Sequence, residues 1–173
     1  MTESLGKHPA EMVLLSERLL SSSAFKVLFR EGMALVESTA AYLDGPGRAE
    51  SRELDRAAAL AYATESMRLT TRLMQLASWL LLQRAVNEGE MTQDQARTEK
   101  NRVRLASAAP DPGAEVLGLL PPTLVQLIRH SLRLQQRLAR LEEVLSNPEA
   151  PVPEQDNAVG QQIDLIRQAF GGR

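Results

Sequence analysis

One long segment, Arg56 to Val86, has the residue spacing of a single helix with apolar residues on two opposite sides. The first series steps by four and three residues and consists of Tyr62, Ser66, Leu69, Leu73, Leu76 and Leu80. A helix turns by about 100° per residue, which places the second series about 180° around the helix from the first. The second series recurs at Leu60, Met67, Met74 and Leu81, and Thr64, Thr71 and Ser78 lie between these positions. Since both sides must be covered, we expect this segment to be sandwiched between neighbours and to serve as a scaffold or an interface.

Two interpretations of the second series remain open. Its flexible methionines and small hydroxylated residues allow close helix approach. Either the helix lies in the middle of its own bundle, or the second series meets a second copy of the chain. The latter predicts a homodimer with Met67, Thr71 and Met74 at the interface.

The composition favours an all-α fold. Aromatic residues are only 3% of the 173 residues, and Ala, Leu, Arg, Glu and Gln support helices better than strands. This length corresponds to one domain with tails. We predict an antiparallel three-helix bundle with one extra short helix and flexible tails, pairing as a homodimer.

The helix boundaries follow from turn and capping signals. The first helix is predicted from Ser23 to the Asp44-Gly45-Pro46-Gly47 turn, with an apolar stripe at Phe25, Leu28, Phe29, Met33, Val36, Ala40 and Leu43. Gly32 in this stripe indicates either the close approach of a neighbouring backbone or simple tolerance. The second helix is predicted from Ser51 to about Asn87.

Two further helices are predicted after Gly89. Thr92 to Gln95 has capping-box spacing and predicts a polar helix reaching Ala106, followed by a loop over 108–118. Pro121 and Pro122 suit the first turn of the third long helix, whose heptad runs through Leu120, Leu124, Leu127, Ser131, Leu134, Leu138, Leu141 and Leu145.

These boundaries divide the chain into a flexible N-terminal arm (1–22), a helical bundle domain (23–146) and a disordered C-terminal tail (147–173). Ile163, Ile166 and Phe170 in the tail have the i, i+3, i+7 spacing of a helix that binds in a groove. They are therefore candidate partner anchors, the alternative being that they pack back on the bundle.

The sequence offers no constellation for catalysis or for a cofactor. There is no Cys, and the two histidines, His8 and His130, lack the company that a metal site requires, so a solvated or capping role is expected. Glu65 with Arg68 and Arg72 is interpreted as a set of ordinary ion pairs on a helix rim. The interpretation is a non-enzymatic cytoplasmic protein without a cofactor, a signal peptide or a membrane span.

A basic stripe on the third long helix is the main hint of a charged partner. Arg129, Arg133, Arg137 and Arg140 are spaced to share its outer face, although Glu142 and Glu143 reduce the local charge. The net charge of −2 gives no chain-wide positive field for nucleic acid. A nucleic-acid-associated regulator using this stripe is kept as the alternative function.

Two blocks of the sequence resemble the RcdA family, the regulators of CtrA degradation in the bacterial cell cycle. They are EGMALVESTAAYLDG at residues 31–45 and AALAYATESMRLTTRLMQLASWLLLQRAV at residues 58–86. The resemblance implies a dimeric three-helix bundle acting as a non-enzymatic adaptor. The implied partners are the ClpXP protease, CpdR-like and PopA-like factors, and cell-cycle regulators such as CtrA as cargo.

Overall fold

The computed structural model describes residues 23–103 and 111–146, and these two ranges are almost entirely helical without a strand. The helices are α1 (Ser23–Asp44), α2 (Pro46–Arg52), α3 (Arg56–Asn87), α4 (Gln93–Val103), α5 (Ala114–Gly118) and α6 (Pro122–Ser146). The all-α prediction is confirmed. The N-terminal arm, residues 104–110 and the C-terminal tail lie outside the described residues.

Three long helices, α1, α3 and α6, form the bundle. The α1 helix runs antiparallel to α3, because Gly32 lies against Leu80 whereas Gly47, just past the end of α1, lies against Tyr62. The α3 and α6 helices run parallel, because Arg72 contacts Ser131 and Trp79, further along α3, contacts Glu142. The antiparallel orientation expected of the bundle therefore holds for α1 but not between α3 and α6.

The core lies between these three helices and contains the first apolar series of α3 and the heptad of α6. Leu69, Leu76 and Leu80 are fully buried, and Leu73 is nearly so. The facing residues of α6 that are fully buried are Leu124, Ile128, Ser131, Leu134 and Leu138. The first series of α3 and the heptad of α6 are confirmed as the sides that face the core. Their members Tyr62, Ser66, Leu127, Leu141 and Leu145 are only partly buried, and the fully buried Ile128 was not in the predicted heptad.

The apolar stripe predicted for α1 is partly wrong. The buried residues of this helix are Phe25, Leu28, Gly32, Leu35, Thr39 and Tyr42. Ala40 is exposed, and Phe29 and Met33 lie only at the margin of the core. The stripe includes Tyr42 because its hydroxyl donates a hydrogen bond of 2.6 Å to Glu50 of α2, which satisfies its polar end inside the fold.

Gly32 of α1 lies directly against a buried side chain of α3. A Cβ atom at this position would collide with Cδ1 of Leu80 and would lie 3.6 Å from Cδ2 of Leu134. A neighbouring group does approach Gly32 closely, but the prediction of a backbone there is wrong, because the group is the side chain of Leu80.

Several predicted helix ends need correction. The α3 helix begins at Arg56 and not at Ser51, because Asp55 is its N-cap and accepts a hydrogen bond of 2.8 Å from the amide of Ala58. Residues 46–52 form the separate helix α2, with Pro46 in its first turn. The short helix α5 replaces part of the loop predicted over 108–118.

The capping box before α4 is confirmed. The amide of Gln95 donates to the hydroxyl of Thr92 over 3.2 Å, and the amide of Thr92 donates to Oε1 of Gln95 over 3.0 Å. The helix then runs back beside the C-terminal half of α3, since Lys100 contacts Gln83.

Candidate partner-binding surfaces

The second apolar series of α3 lies on the outside of the bundle. Leu60, Met67, Met74 and Leu81 are 71%, 73%, 66% and 52% exposed. We name these four residues, with the intervening Thr64, Thr71 and Ser78, the methionine face. It extends over about 31 Å from Leu60 to Leu81 at about 1.5 Å per residue. Large apolar side chains exposed in such a row are typical of a surface that contacts another macromolecule.

Three hydroxyl groups on and beside this face, those of Thr70, Thr71 and Ser78, donate to carbonyl groups of α3 itself. Thr71 donates to the carbonyl of Met67 over 3.0 Å, and Ser78 donates to the carbonyl of Met74 over 2.8 Å. Thr70 makes the same bond to Ser66. Because these hydroxyls are satisfied within α3, covering them would leave no unpaired donor. The face can therefore be buried against an apolar partner at little polar cost.

Among residues 23–103 and 111–146 of one chain, α3 is covered on one flank only, so the expectation that it is sandwiched on both flanks is wrong for this part of the chain. The described helices α1 and α6 cover only the first series, and the methionine face remains exposed. The interpretation that places the second series inside the chain's own bundle is thereby excluded for the described residues. The assignment of Met67, Thr71 and Met74 to a homodimer interface stays a prediction.

A shallow depression adjoins the C-terminal end of the methionine face. It has a volume of about 370 Å³ and is lined by Ser78, Leu81, Leu82, Ala85 and Glu99. Its walls come from α3 and α4, so the position of α4 sets its shape. The depression extends the apolar surface beyond Leu81 toward the end of the bundle.

A buried polar cluster fixes α4 against the bundle. Lys100 donates to Oε1 of Gln83 over 2.7 Å and to Oε2 of Glu142 over 3.3 Å, and its ammonium lies 4.3 Å from the centre of the Trp79 ring. The indole of Trp79 donates to the same carboxylate oxygen of Glu142. Burial lowers the pKa of Lys100, while Glu142 acts in the opposite direction and favours its charged form.

Sequence reasoning missed this cluster. The polar residues of α4 carry no apolar period, and Lys100 and Glu142 are 42 positions apart in the sequence. The i, i+4 spacing of Ala96 and Lys100 was the one available signal, since these are the two buried residues of the helix. A lysine at such a position is recognisable as buried only when its acidic and aromatic neighbours are known.

The set of Glu65, Arg68 and Arg72 is not on an exposed rim. The Glu65 side chain is 3% exposed and lies 2.7 Å from Arg68. Arg72 is also buried and donates to the hydroxyl of Ser131 over 3.0 Å. Burial lowers the pKa of Arg72, and the negative charges of Asp111 and Glu65 counteract that effect. Arg72 joins α3 to α6, whereas Glu65 and Arg68 form the predicted ion pair within α3, so the role of the set is structural.

His130 is neither purely solvated nor a helix cap. Its Nε2 atom lies 2.9 Å from Oε1 of Glu31, and Arg137 donates to the other carboxylate oxygen over 2.6 Å. Burial alone would raise the pKa of Glu31, but the hydrogen bonds and charges of His130 and Arg137 outweigh it and lower that pKa. This contact joins α1 to α6.

The four arginines of the predicted basic stripe are all exposed on α6. Arg137 is the member whose guanidinium contacts Glu31, whereas Arg129, Arg133 and Arg140 extend from the helix without an ion pair to any described residue. The stripe is therefore present as a surface, and its use by a nucleic acid stays a prediction. The anchors predicted at Ile163, Ile166 and Phe170 lie outside the described residues.

Other features limit what the described part of the chain can do. In residues 23–103 and 111–146 no group of three or more His, Asp or Glu is placed to hold a metal ion. Over the same ranges no helix is both long and apolar enough to cross a membrane. The described part of the chain is a helical bundle with an extended exposed apolar face on α3.

Comparison with known proteins agrees with this description. Residues 16–170 match the family described as a protein of unknown function, DUF1465. The structure is similar to the crystal structure of RcdA from Caulobacter crescentus CB15, with 52% sequence identity and a TM-score of 0.58 over 70% of this chain and 89% of that chain. No curated protein matches the chain. The chain belongs to the RcdA family, as the two sequence blocks predicted.

Proposed function

We propose that this protein is a non-enzymatic adaptor that promotes the degradation of cell-cycle regulators such as CtrA by the ClpXP protease in the cytoplasm. The observation that carries the proposal is the 52% identity to RcdA, combined with a bundle that presents a long uncharged apolar surface. An adaptor needs surfaces that bring polypeptides together, and it needs no reacting group. The cargo and the CpdR-like and PopA-like factors are taken from the family resemblance.

The methionine face is the proposed homodimer contact, with Met67, Thr71 and Met74 at its centre. Its heptad spacing suits packing against an identical helix, and its hydroxyls are already paired within α3. Obligate interfaces between identical chains are more apolar than ordinary protein surface. Pairing through this face would give each adaptor two copies of every other surface.

The tail anchors Ile163, Ile166 and Phe170 are proposed to bind a second partner in the delivery complex. A tethered motif raises the effective concentration of its partner without any new contact on the bundle. The affinity of the motif alone would be modest, because ordering a flexible segment offsets part of its contact energy.

The test is recovery of the protein on a ClpXP variant that traps substrates without cleaving them, in cells that contain the full-length chain. We expect the adaptor and its cargo to be recovered together. A variant with Ile163→Ser, Ile166→Ser and Phe170→Ser should lose one partner and remain folded. The matched control changes Val152 and Val159 of the same tail to Ser, outside the anchor spacing, and should leave recovery unchanged.

Two results would contradict the proposal. Recovery of cargo on the trap at the same level with and without this protein would exclude a delivery role. Full delivery by a chain that ends after Ser146 would exclude the tail anchors and leave the adaptor role of the bundle intact.

A further inference from the structure

The outer face of α6 carries more positive charge than the bundle balances. Arg129, Arg133, Arg137 and Arg140 follow one another at intervals of four, four and three residues, and all are exposed. Like charges at such intervals repel one another on a helix. Within the described residues, the ion pair that this face receives is the one from Glu31 to Arg137. We name these four residues the arginine face.

The carboxylates near the end of α6 do not balance this face. Glu142 contacts Trp79 and Lys100 in the buried cluster. Glu143 is exposed three residues after Arg140 and forms no ion pair with a described residue. Three guanidinium groups therefore remain available to an anionic segment.

Negative charge of the right amount follows directly in the sequence. The 26 residues between Arg140 and Arg167 contain six acidic residues and no Lys or Arg. Four of the six come after the end of α6 at Ser146, and they are Glu149, Glu154, Asp156 and Asp164. The basic face and the acidic segment are thus adjacent parts of one chain.

The acidic segment is also long enough to reach the whole arginine face. From Ser146 back to Arg129 the helix measures about 26 Å at about 1.5 Å per residue. Pro148, Pro151 and Pro153 favour an extended backbone, and the ten residues from Ser146 to Asp156 span about 31 Å at about 3.1 Å per residue. A segment of this length that turned back directly after Ser146 would therefore bring Glu154 level with Arg129.

We propose that the acidic segment 149–156 binds the arginine face of α6 in the same chain. The contact is electrostatic, and tethering gives the segment a millimolar effective concentration that an external anion must exceed. It covers the arginine face and directs the following residues, 157–173, along the outside of the bundle. This inference is independent of the adaptor role proposed above.

The absence of Cys from the sequence permits a direct distance measurement. Two cysteines are introduced in the full-length chain by Gln126→Cys, on the exposed side of α6, and by Ala158→Cys. They are labelled with a fluorescent donor and acceptor that transfer energy over short distances. In the bound arrangement we expect the labels to be roughly 10 Å apart, counting the helical rise back from Ser146. A tail free in solution would place them roughly 35 Å apart on average.

The contact should be lost when its charges are screened or removed. When the salt concentration is raised from about 0.01 M to about 1 M, the Debye length falls from about 30 Å to about 3 Å. Over this range the distance between the two labels should increase toward the distance expected for a free tail. At low salt, the triple variant Arg129→Gln, Arg133→Gln, Arg140→Gln should show the distance between labels that is expected for a free tail. The matched control replaces the exposed Arg48, Arg52 and Arg56 by Gln, removes the same charge, and should retain the short distance.

Three results would overturn the proposal. A short distance that persists in the arginine-face variant would place the segment elsewhere. A long distance in the unaltered chain at low salt would show that the segment does not bind the bundle. Loss of energy transfer on dilution with excess unlabelled protein would show that the acidic segment binds a second copy of the chain.

Discussion

At the scale of single residues, the bundle depends on polar groups that are buried together with their partners. Gln83 is fully buried, and its two ends bond to Lys100 and Asn87. Ser131 is also fully buried, donates to the carbonyl of Ile128 and accepts from Arg72. An unpaired buried polar group costs about 1–3 kcal/mol, so each of these residues specifies the neighbour that must lie beside it.

Gly32 gives a prediction about packing. Replacement by Ala in a helix gains about 1 kcal/mol of helix propensity, but the added methyl collides with the side chain of Leu80, which is fully buried. Overpacking costs about 1–3 kcal/mol, so Gly32→Ala should lower the free energy of unfolding by about 1 kcal/mol. Urea unfolding measures this, and a stabilised variant would contradict the close approach.

Glu31 gives a prediction about pH. Its pKa is lower in the folded protein than its ordinary value of 4.5, so the ionised carboxylate stabilises the fold above that pH and this contribution is lost as the pH falls. Glu31→Gln should be less stable than the unaltered chain near neutral pH by about 1 kcal/mol or less. The two unfolding free energies should converge below pH 4.5.

The matched control for Glu31 is Glu37→Gln, an exposed position on the same helix. It should show no pH-dependent difference of this size. A constant difference between Glu31→Gln and the unaltered chain down to low pH would instead indicate a packing effect without a role for the carboxylate charge.

At the scale of the elements, α4 packs closely beside α3 but buries few of its own side chains. Ala96 and Lys100 are its buried residues, and its remaining described side chains are polar. An isolated helix of this length is marginal in water. Its position therefore depends on the cluster around Lys100 more than on helix propensity.

Replacing Lys100 by Met tests this dependence. The two residues have similar helix propensity, but Gln83 would lose the donor to its buried carbonyl oxygen, at a cost of about 1–3 kcal/mol. We expect faster hydrogen exchange in residues 93–103 and a changed fluorescence of Trp79, whose ring contacts Lys100. Arg97→Met on the exposed side of α4 is the control, and equal exchange in both variants would contradict this role of Lys100.

At the scale of the whole molecule, one side of α3 builds the core and the opposite side remains available. In the described residues this division leaves the methionine face exposed for the homodimer contact proposed above. The depression between α3 and α4 lies at one end of the available side. A change in the position of α4 would therefore alter the same surface that the proposed dimer uses.

A charge placed on the methionine face should separate the proposed dimer. Met74→Glu puts a carboxylate at the centre of the contact, where it would be desolvated without a partner. We expect light scattering to show a shift from dimer to monomer, with the helical content unchanged. Val27→Glu, at a 57% exposed apolar position of α1, is the control, and an unchanged dimer in Met74→Glu would exclude this face as the interface.

Periodicity in the sequence determined the long helices, the two apolar sides of α3 and the core side of α6, because spacings of three, four and seven depend only on helix geometry. Asp55 and Glu50 illustrate the limit. The start of α3 depends on the N-cap Asp55, and the separate helix α2 is joined to α1 by the hydrogen bond from Tyr42 to Glu50. Neither feature follows from a periodic spacing of residues. The buried stripe on α1 differs from the predicted one for the same reason, because the burial of Tyr42 requires a partner from another element.

The sequence by itself determined that α3 has two apolar sides, and the two residue blocks indicated the family. Only the tertiary structure decided which side faces the core, that α3 and α6 run parallel, and that Lys100, Glu65 and Arg72 are buried. The physical reason is that hydrophobic periodicity is local, whereas the pairing of buried charges and the direction of helices depend on residues far apart in the chain.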